Sequence, residues 1–124
     1  MLMKQILVID DEQPIRSLLK IMLEREGFDV ITASNGKEGM KLFSKATVDL
    51  VITDIVMPEK EGIEIIRELR KGYPDTPVIA ISGGGRNSSE SYLNVAKLLG
   101  AVAILQKPVE KEKLLTAVKK ALKL

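Results

Sequence analysis

ILVIDD at residues 6–11 decides the fold, because four apolar residues in a row end in two aspartates. Two later runs have the same form: residues 50–53 lead into Asp54, and residues 102–105 are followed one residue later by Lys107. If these runs are parallel strands of one sheet, three carboxylates and one ammonium meet at its carboxyl edge, where open α/β sheets bind ligands. Such carboxylates favour a hard divalent cation, and a neighbouring lysine favours an anion such as phosphate.

Helical segments separate the apolar runs and give five alternations of strand and helix. The predicted strands span residues 4–9, 28–32, 50–53, 78–81 and 102–105. Because each helical crossover returns the chain in the same direction, the strands are expected to be parallel. The first, third and fourth runs are almost wholly apolar, as in a sheet covered on both faces, whereas the mixed second run indicates an edge. We therefore predict a single α/β domain with a doubly wound five-stranded parallel sheet between two helical layers.

Local signals predict where the helices begin, end and pack. Pro14 suits the first turn of the first helix, Gly27 suits its end, and Asn35 with Glu38 forms a capping-box pattern at the start of the second. Gly100 is expected to end the fourth helix. The period of the first helix predicts one apolar face made of Ile15, Leu18, Leu19, Met22 and Leu23.

The composition excludes several classes of site. The 124-residue chain has no cysteine and no histidine, so it offers no thiolate or imidazole metal ligand and no phosphohistidine. Its net charge of +2 does not favour direct binding to nucleic acid or to an anionic membrane. No apolar run is long enough to cross a bilayer and no secretory signal precedes Asp10, so we expect a cytoplasmic protein without membrane insertion.

Each residue at a strand end has an ordinary explanation when it is taken alone. An aspartate after a strand usually caps a helix or forms a turn, and a lysine before a proline is usually solvated. Ser82, which precedes three glycines, could simply begin a turn. Their joint placement after the first, third, fourth and fifth strands is much harder to explain in that way.

In this order the residues resemble the receiver domain of two-component response regulators. The resemblance rests on the Asp10-Asp11 pair, the segment DIVMP at residues 54–58 with Gly62 beyond it, Ser82, and the Lys107-Pro108 pair. It covers essentially the whole chain, so residues 1–124 are expected to be one receiver domain. It also implies a flavodoxin-like fold with the strand order 2-1-3-4-5.

The resemblance implies a signalling role for three of these residues. Asp54 would be the phosphoacceptor, Lys107 would contact the phosphoryl group, and Ser82 would hydrogen-bond a phosphoryl oxygen once it is attached. A sensor histidine kinase or a phosphotransfer protein would donate the group, and a downstream protein or output domain would respond to it. The chain would thus be a switch that catalyses its own phosphorylation and dephosphorylation, rather than an enzyme.

The same resemblance implies a Mg²⁺ site. Asp11 and Asp54 would ligate the ion through their carboxylates, Asp10 would help to hold it, often through water, and the backbone carbonyl of Val56 would be a further ligand. Mg²⁺ prefers oxygen ligands and keeps several waters, so a few carboxylates and one carbonyl suffice.

Some features depart from the family pattern and leave other functions open. Ile104 stands where the family usually has tyrosine or phenylalanine, and the aromatic switch is therefore in doubt; Ile104 could equally be an ordinary strand residue. One alternative is a scaffold that acts without phosphate. Another is a Mg²⁺-dependent phosphatase with an aspartyl nucleophile, although such enzymes usually have two acids separated by one residue, whereas Asp10 and Asp11 are adjacent.

Overall fold

The computed structural model describes residues 3–55, 61–83, 94 and 96–124. Within these residues, the strands are β1 (Gln5–Ile9), β2 (Asp29–Ala33), β3 (Leu50–Asp54), β4 (Val78–Ser82) and β5 (Ala103–Gln106). The helices are α1 (Gln13–Arg25), α2 (Gly36–Lys45), α3 (Glu61–Gly72) and a C-terminal helix (Lys111–Ala121), and residues 94 and 96–98 are also helical. None of the helices in this part of the chain has the length and apolar character needed to cross a membrane.

The strands form one sheet in the order β2-β1-β3-β4-β5, and every neighbouring pair is parallel. This confirms the predicted doubly wound α/β fold and its strand order. The mixed strand β2 lies at an edge, as its composition predicts. Because the strand order reverses between β1 and β3, a crevice opens at their carboxyl ends, which is the usual ligand position in such sheets.

Alternate residues of each strand belong to two separate cores. Leu7 and Ile9 of β1 pack in a core on the side of α2 and α3, whereas Ile6 and Val8 pack in a core with α1 and the C-terminal helix. All residues of β3 and β4 are buried, which explains why these two runs are almost continuously apolar. The sheet is therefore covered on both faces.

The predicted helix boundaries are confirmed. Pro14 lies in the first turn of α1, and Gly27 follows its last turn with a φ of 92°, which favours glycine. The Asn35 side chain accepts a hydrogen bond of 2.8 Å from the backbone N–H of Glu38 at the start of α2. Gly100 likewise has a positive φ, of 109°, and follows the helical residues 96–98.

Two predictions about individual residues are wrong. Leu18, which was assigned to the buried face of α1, is 46% exposed, because Leu19 and Leu23 occupy the line of contact with the sheet. Periodicity alone does not separate the centre of an apolar stripe from its flank. The strand β5 begins at Ala103 rather than Val102, and Val102 is 54% exposed in the bend before it.

Gly62 in the first turn of α3 allows that helix to lie directly on the end of β3. A Cβ atom at this position would collide with the backbone carbonyl oxygen of Asp54 and with the Cα atom of Ile55. Both obstacles are backbone atoms that cannot swing aside. The position of α3 relative to the carboxyl end of β3 therefore requires a glycine here.

We expect Gly62→Ala to lower the free energy of unfolding by about 1–3 kcal/mol, as overpacking does elsewhere. Gly72 at the other end of α3 provides the matched control, because a Cβ atom there would meet nothing within 4 Å. Gly72→Ala should be neutral or slightly stabilising, since alanine is the better helix former. Urea unfolding of both variants measures the difference, and equal stabilities would contradict this account of Gly62.

Candidate functional site

Four polar residues identified in the sequence lie at the carboxyl ends of four strands. Asp54 and Ser82 are the last residues of β3 and β4, while Asp10 and Lys107 directly follow β1 and β5. Asp10, Asp54 and Ser82 are buried, with exposed fractions of 1%, 3% and 0%. Buried carboxylates require compensating partners, so the surroundings of Asp10 and Asp54 indicate what this edge of the sheet does.

Backbone hydrogen bonds continue the sheet beyond the strand ends and hold these residues in place. The N–H of Asp10 donates to the carbonyl of Ala33 at 3.1 Å, and the N–H of Lys107 donates to the carbonyl of Ser82 at 2.9 Å. The N–H of Ile55, next to Asp54, donates to the carbonyl of Ile81 at 2.9 Å. The separation of the charged side chains is therefore set by the sheet rather than by flexible loops.

The ammonium of Lys107 lies between three carboxylates. Its Nζ atom is 2.8 Å from Oδ2 of Asp54, 2.9 Å from Oδ2 of Asp10 and 2.7 Å from Oε1 of Glu12. The lysine side chain is itself only 10% exposed. The predicted meeting of these strand-end charges is confirmed for Asp10, Asp54 and Lys107, and Glu12 is an addition that sequence reasoning missed.

The Lys107 ammonium is strongly held in its charged form. Burial alone would lower its pKa, but the hydrogen bonds from the ammonium to Asp54 and Glu12 and its close contact with the Asp10 carboxylate outweigh that effect and raise the pKa well above its ordinary value near 10.5. Lys107 is therefore a permanent positive charge in the physiological pH range and is not suited to act as a general base.

The turn after β1 is shaped by Asp10 and Arg16. Oδ1 of Asp10 accepts a hydrogen bond of 2.8 Å from the backbone N–H of Glu12, and the Arg16 guanidinium donates to the Asp10 carbonyl at 2.6 Å. The first bond holds Oδ1 of the Asp10 carboxylate, whose Oδ2 lies 2.9 Å from Nζ of Lys107, and the second holds the main chain of the turn. Sequence reasoning missed Arg16 as well, because a charged residue on a helix is usually just solvated.

Four carboxylates at this edge could hold a metal ion. One oxygen each from Asp10, Asp11, Glu12 and Asp54 lies within 4.8 Å of the others, with Asp10 and Asp54 buried and Asp11 and Glu12 exposed. Oδ2 of Asp10 is buried and makes no hydrogen bond of good geometry, although it forms an ion pair with Lys107. A cluster made only of carboxylate oxygens, half of it open to water, fits a hard divalent cation that keeps water ligands.

The remaining predicted residues have different outcomes. The Ser82 hydroxyl is buried and donates a long hydrogen bond of 3.3 Å to the carbonyl of Gly83. Ile104 pairs with Ala80 in the sheet and packs against the core on the α3 side, as an ordinary strand residue does. Val56, whose carbonyl was assigned to the metal, lies outside the described residues.

Glu12 could have been found from two signals in the sequence. It directly follows the Asp10-Asp11 pair, and it stands at the N-cap of α1, where serine, threonine, aspartate and asparagine are the preferred residues. Glutamate is longer than the residues that are preferred at an N-cap, which indicates that the Glu12 carboxylate binds a partner elsewhere in the fold. The partner, Lys107, lies 95 residues further along the chain.

Comparison with known proteins identifies relatives of the whole domain. A family model described as the response regulator receiver domain matches residues 6–119. The transcriptional regulatory protein GlrR of Escherichia coli is 36% identical over 117 residues, which are 94% of this chain and 26% of that protein.

Two solved structures share the fold closely. A response regulator receiver domain protein from Clostridium thermocellum has a TM-score of 0.89 and 37% identity, covering 98% of this chain and 95% of that one. The beryllofluoride-activated receiver domain dimer of NtrC4 has a TM-score of 0.86 and 33% identity, covering 98% of each chain. The chain spans only 24% to 50% of the length of the curated relatives that it matches.

We expect Lys107→Met to lower the free energy of unfolding by about 2 kcal/mol, because two buried carboxylates lose their counter-ion. Since the folded pKa of Lys107 is raised, the stabilisation is complete below its ordinary pKa near 10.5 and is lost only as the pH rises beyond that value. The difference between the native protein and the variant should therefore be the same at pH 7 and pH 9.

Chemical denaturation at both pH values measures this difference. Lys113→Met is the control, because Lys113 is 71% exposed and its partner Glu110 lies 3.7 Å away, so its loss should cost less than about 0.5 kcal/mol. A Lys107 variant as stable as the Lys113 variant would show that the three carboxylates do not need this counter-ion.

Proposed function

The chain belongs to the response regulator receiver domain family of two-component systems, and from this premise we propose that Asp54 accepts a phosphoryl group which switches the protein between two signalling states. The observation that carries the proposal is the buried Asp54 carboxylate at the end of β3, held 2.8 Å from the Lys107 ammonium. A lysine at that distance serves both the carboxylate and any phosphoryl group attached to it. No capping or turn role explains this pair of residues.

The transfer step requires little from the protein besides position and charge. An Asp54 carboxylate oxygen attacks phosphorus, and the bond from phosphorus to the donor breaks; with a phosphohistidine donor, the electron pair leaves on the imidazole nitrogen. The product is an acyl phosphate on Asp54. Lys107 keeps its proton throughout and offsets the negative charge that spreads over the phosphoryl oxygens.

The carboxylate cluster supports a role for Mg²⁺ in this step. Asp10, Asp11 and Asp54 are the residues that would hold the ion. When bound, it supplies positive charge that neutralises the acids and the phosphoryl oxygens. The four acids of the cluster and Lys107 together carry a net negative charge, which by itself repels an anionic donor.

Ser82 is suited to detect the phosphoryl group. Among the residues that the structure describes, its hydroxyl makes one long hydrogen bond, of 3.3 Å to the neighbouring carbonyl of Gly83, so exchange of that partner for a phosphoryl oxygen costs little free energy. Ile104 provides no hydroxyl and no ring, so the change would not reach the surface through an aromatic side chain at this position.

The partners of the proposed switch follow from its chemistry. The donor histidine lies outside these 124 residues, which contain no histidine, and we propose that a sensor kinase or phosphotransfer protein provides it. The output is a downstream protein or output domain, in keeping with relatives that are named transcriptional regulatory proteins and are two to four times longer than the matched region. The protein would then act as a switch that is modified once per signal, not as an enzyme that turns over a substrate.

We expect acetyl phosphate with Mg²⁺ to add one phosphoryl mass of about 80 Da to the protein, and Asp54→Ala to abolish that gain, because the acceptor oxygen is lost. Mass spectrometry of the intact protein measures the modification. Asp75→Ala is the control, since Asp75 is exposed and precedes β4 at the opposite edge of the sheet. A phosphoryl gain in Asp54→Ala equal to the native one would refute the assignment, and steady release of product from a phosphomonoester would favour the phosphatase.

Mg²⁺ should raise the melting temperature of the native protein, because ion binding relieves repulsion between the acids of the folded state alone. At ten times the dissociation constant the gain is about 1.4 kcal/mol, or about 4 °C. Asp11→Asn should reduce the shift, whereas Asp29→Asn, an exposed position on β2, should leave it unchanged. Thermal melts with and without the ion measure both, and an undiminished shift in Asp11→Asn would contradict this metal site.

A further inference from the structure

We infer that Glu12 is a positioning residue that competes with the incoming phosphoryl group for Lys107, an inference that rests on the function proposed above. Its Oε1 atom accepts a hydrogen bond of 2.7 Å from Nζ of Lys107. Of the three carboxylates around this ammonium, Glu12 is the closest and by far the most exposed, at 58%. In the unphosphorylated protein, Lys107 is therefore bound by an additional carboxylate, that of Glu12, which can move away from it.

The backbone position of Glu12 shows that this contact takes the place of a local one. Glu12 is the N-cap residue of α1, yet its side chain makes no capping hydrogen bond to that helix. The carboxylate instead reaches across the sheet edge to a residue 95 positions away. An aspartate, the usual acidic cap, is one methylene shorter, so we expect it to cap the helix and to lose the contact with Lys107.

Geometry decides which carboxylate must give way when a phosphoryl group arrives. The ammonium has three hydrogens; Asp54 and Glu12 each accept one, and Asp10 lies 2.9 Å away in an ion pair, so a phosphoryl oxygen that approaches Lys107 competes with these carboxylates for the ammonium. Asp54 bears the new group, and Asp10 is buried and fixed by the N–H of Glu12. The Glu12 side chain alone among the three can move into water at little cost, so its contact with Lys107 is the one that breaks.

Glu110 provides a matched control for the charge of Glu12. It is the N-cap residue of the C-terminal helix, it also makes no side-chain cap, and its side chain is 68% exposed. It lies three residues after Lys107, but its ion-pair partner is Lys113 at 3.7 Å. Loss of its charge therefore changes the surroundings of the site without removing a contact to Lys107.

The test is the rate at which acetyl phosphate with Mg²⁺ phosphorylates the protein, followed by intact mass. In this reaction an Asp54 oxygen bonds to phosphorus, the bond between phosphorus and the acetyl oxygen breaks, and acetate leaves with the electron pair. Glu12→Gln and Glu12→Asp should both react about two to five times faster than the native protein, as expected for the loss of one ion pair with an exposed partner. Glu110→Gln should react at the native rate.

Beryllofluoride with Mg²⁺ gives a second readout that involves no bond to phosphorus, and both Glu12 variants should bind it more tightly by a similar factor. Native rates in both Glu12 variants would overturn the inference alone. A fast Glu12→Gln with a native Glu12→Asp would also overturn it, because the effect would then come from charge at a distance rather than from the contact with Lys107. A native protein that gains no phosphoryl mass would overturn the proposed function and this inference together.

Discussion

The ion pair between Asp54 and Lys107 is the interaction around which the carboxyl edge of the sheet is organised. The strands β3 and β5 end within reach of each other only because β4 lies between them and is hydrogen-bonded to both. The side chains that follow are separated by 2.8 Å. The parallel sheet converts positions 53 residues apart in sequence into one site, and the two hydrophobic cores keep that sheet rigid.

The site concentrates negative charge at the carboxyl edge of the sheet, where burial keeps water from screening it. Two of the four acids are buried, and they share a single ammonium. Burying charges costs free energy even when they are paired, so the arrangement is a poor way to stabilise a domain. The arrangement is understood if a cation binds at this edge, since the cation relieves the imbalance and allows an anionic group to approach.

The sequence predicted the elements of this site well, because strand positions follow from apolar periodicity and a parallel sheet aligns the strand ends. Asp10, Asp54 and Lys107 were predicted on that basis. Glu12 was not, since the conformation of a long, exposed side chain is set by partners in space rather than by spacing along the chain. Leu18 and Val102 were misplaced for a related reason: periodicity predicts the face of an element but not how wide the covered part of that face is.

The contact between Gly62 and the end of β3 has a mechanical consequence. Most helices rest on a sheet through side chains, which rotate and compress when the backbone beneath them moves. At Gly62 no side chain separates the two elements, and the helix backbone lies directly against the carbonyl oxygen of Asp54. A shift of that peptide group is therefore passed to α3 as a displacement of the whole first turn, so the proposed phosphoacceptor Asp54 and the helix beside it are expected to move together.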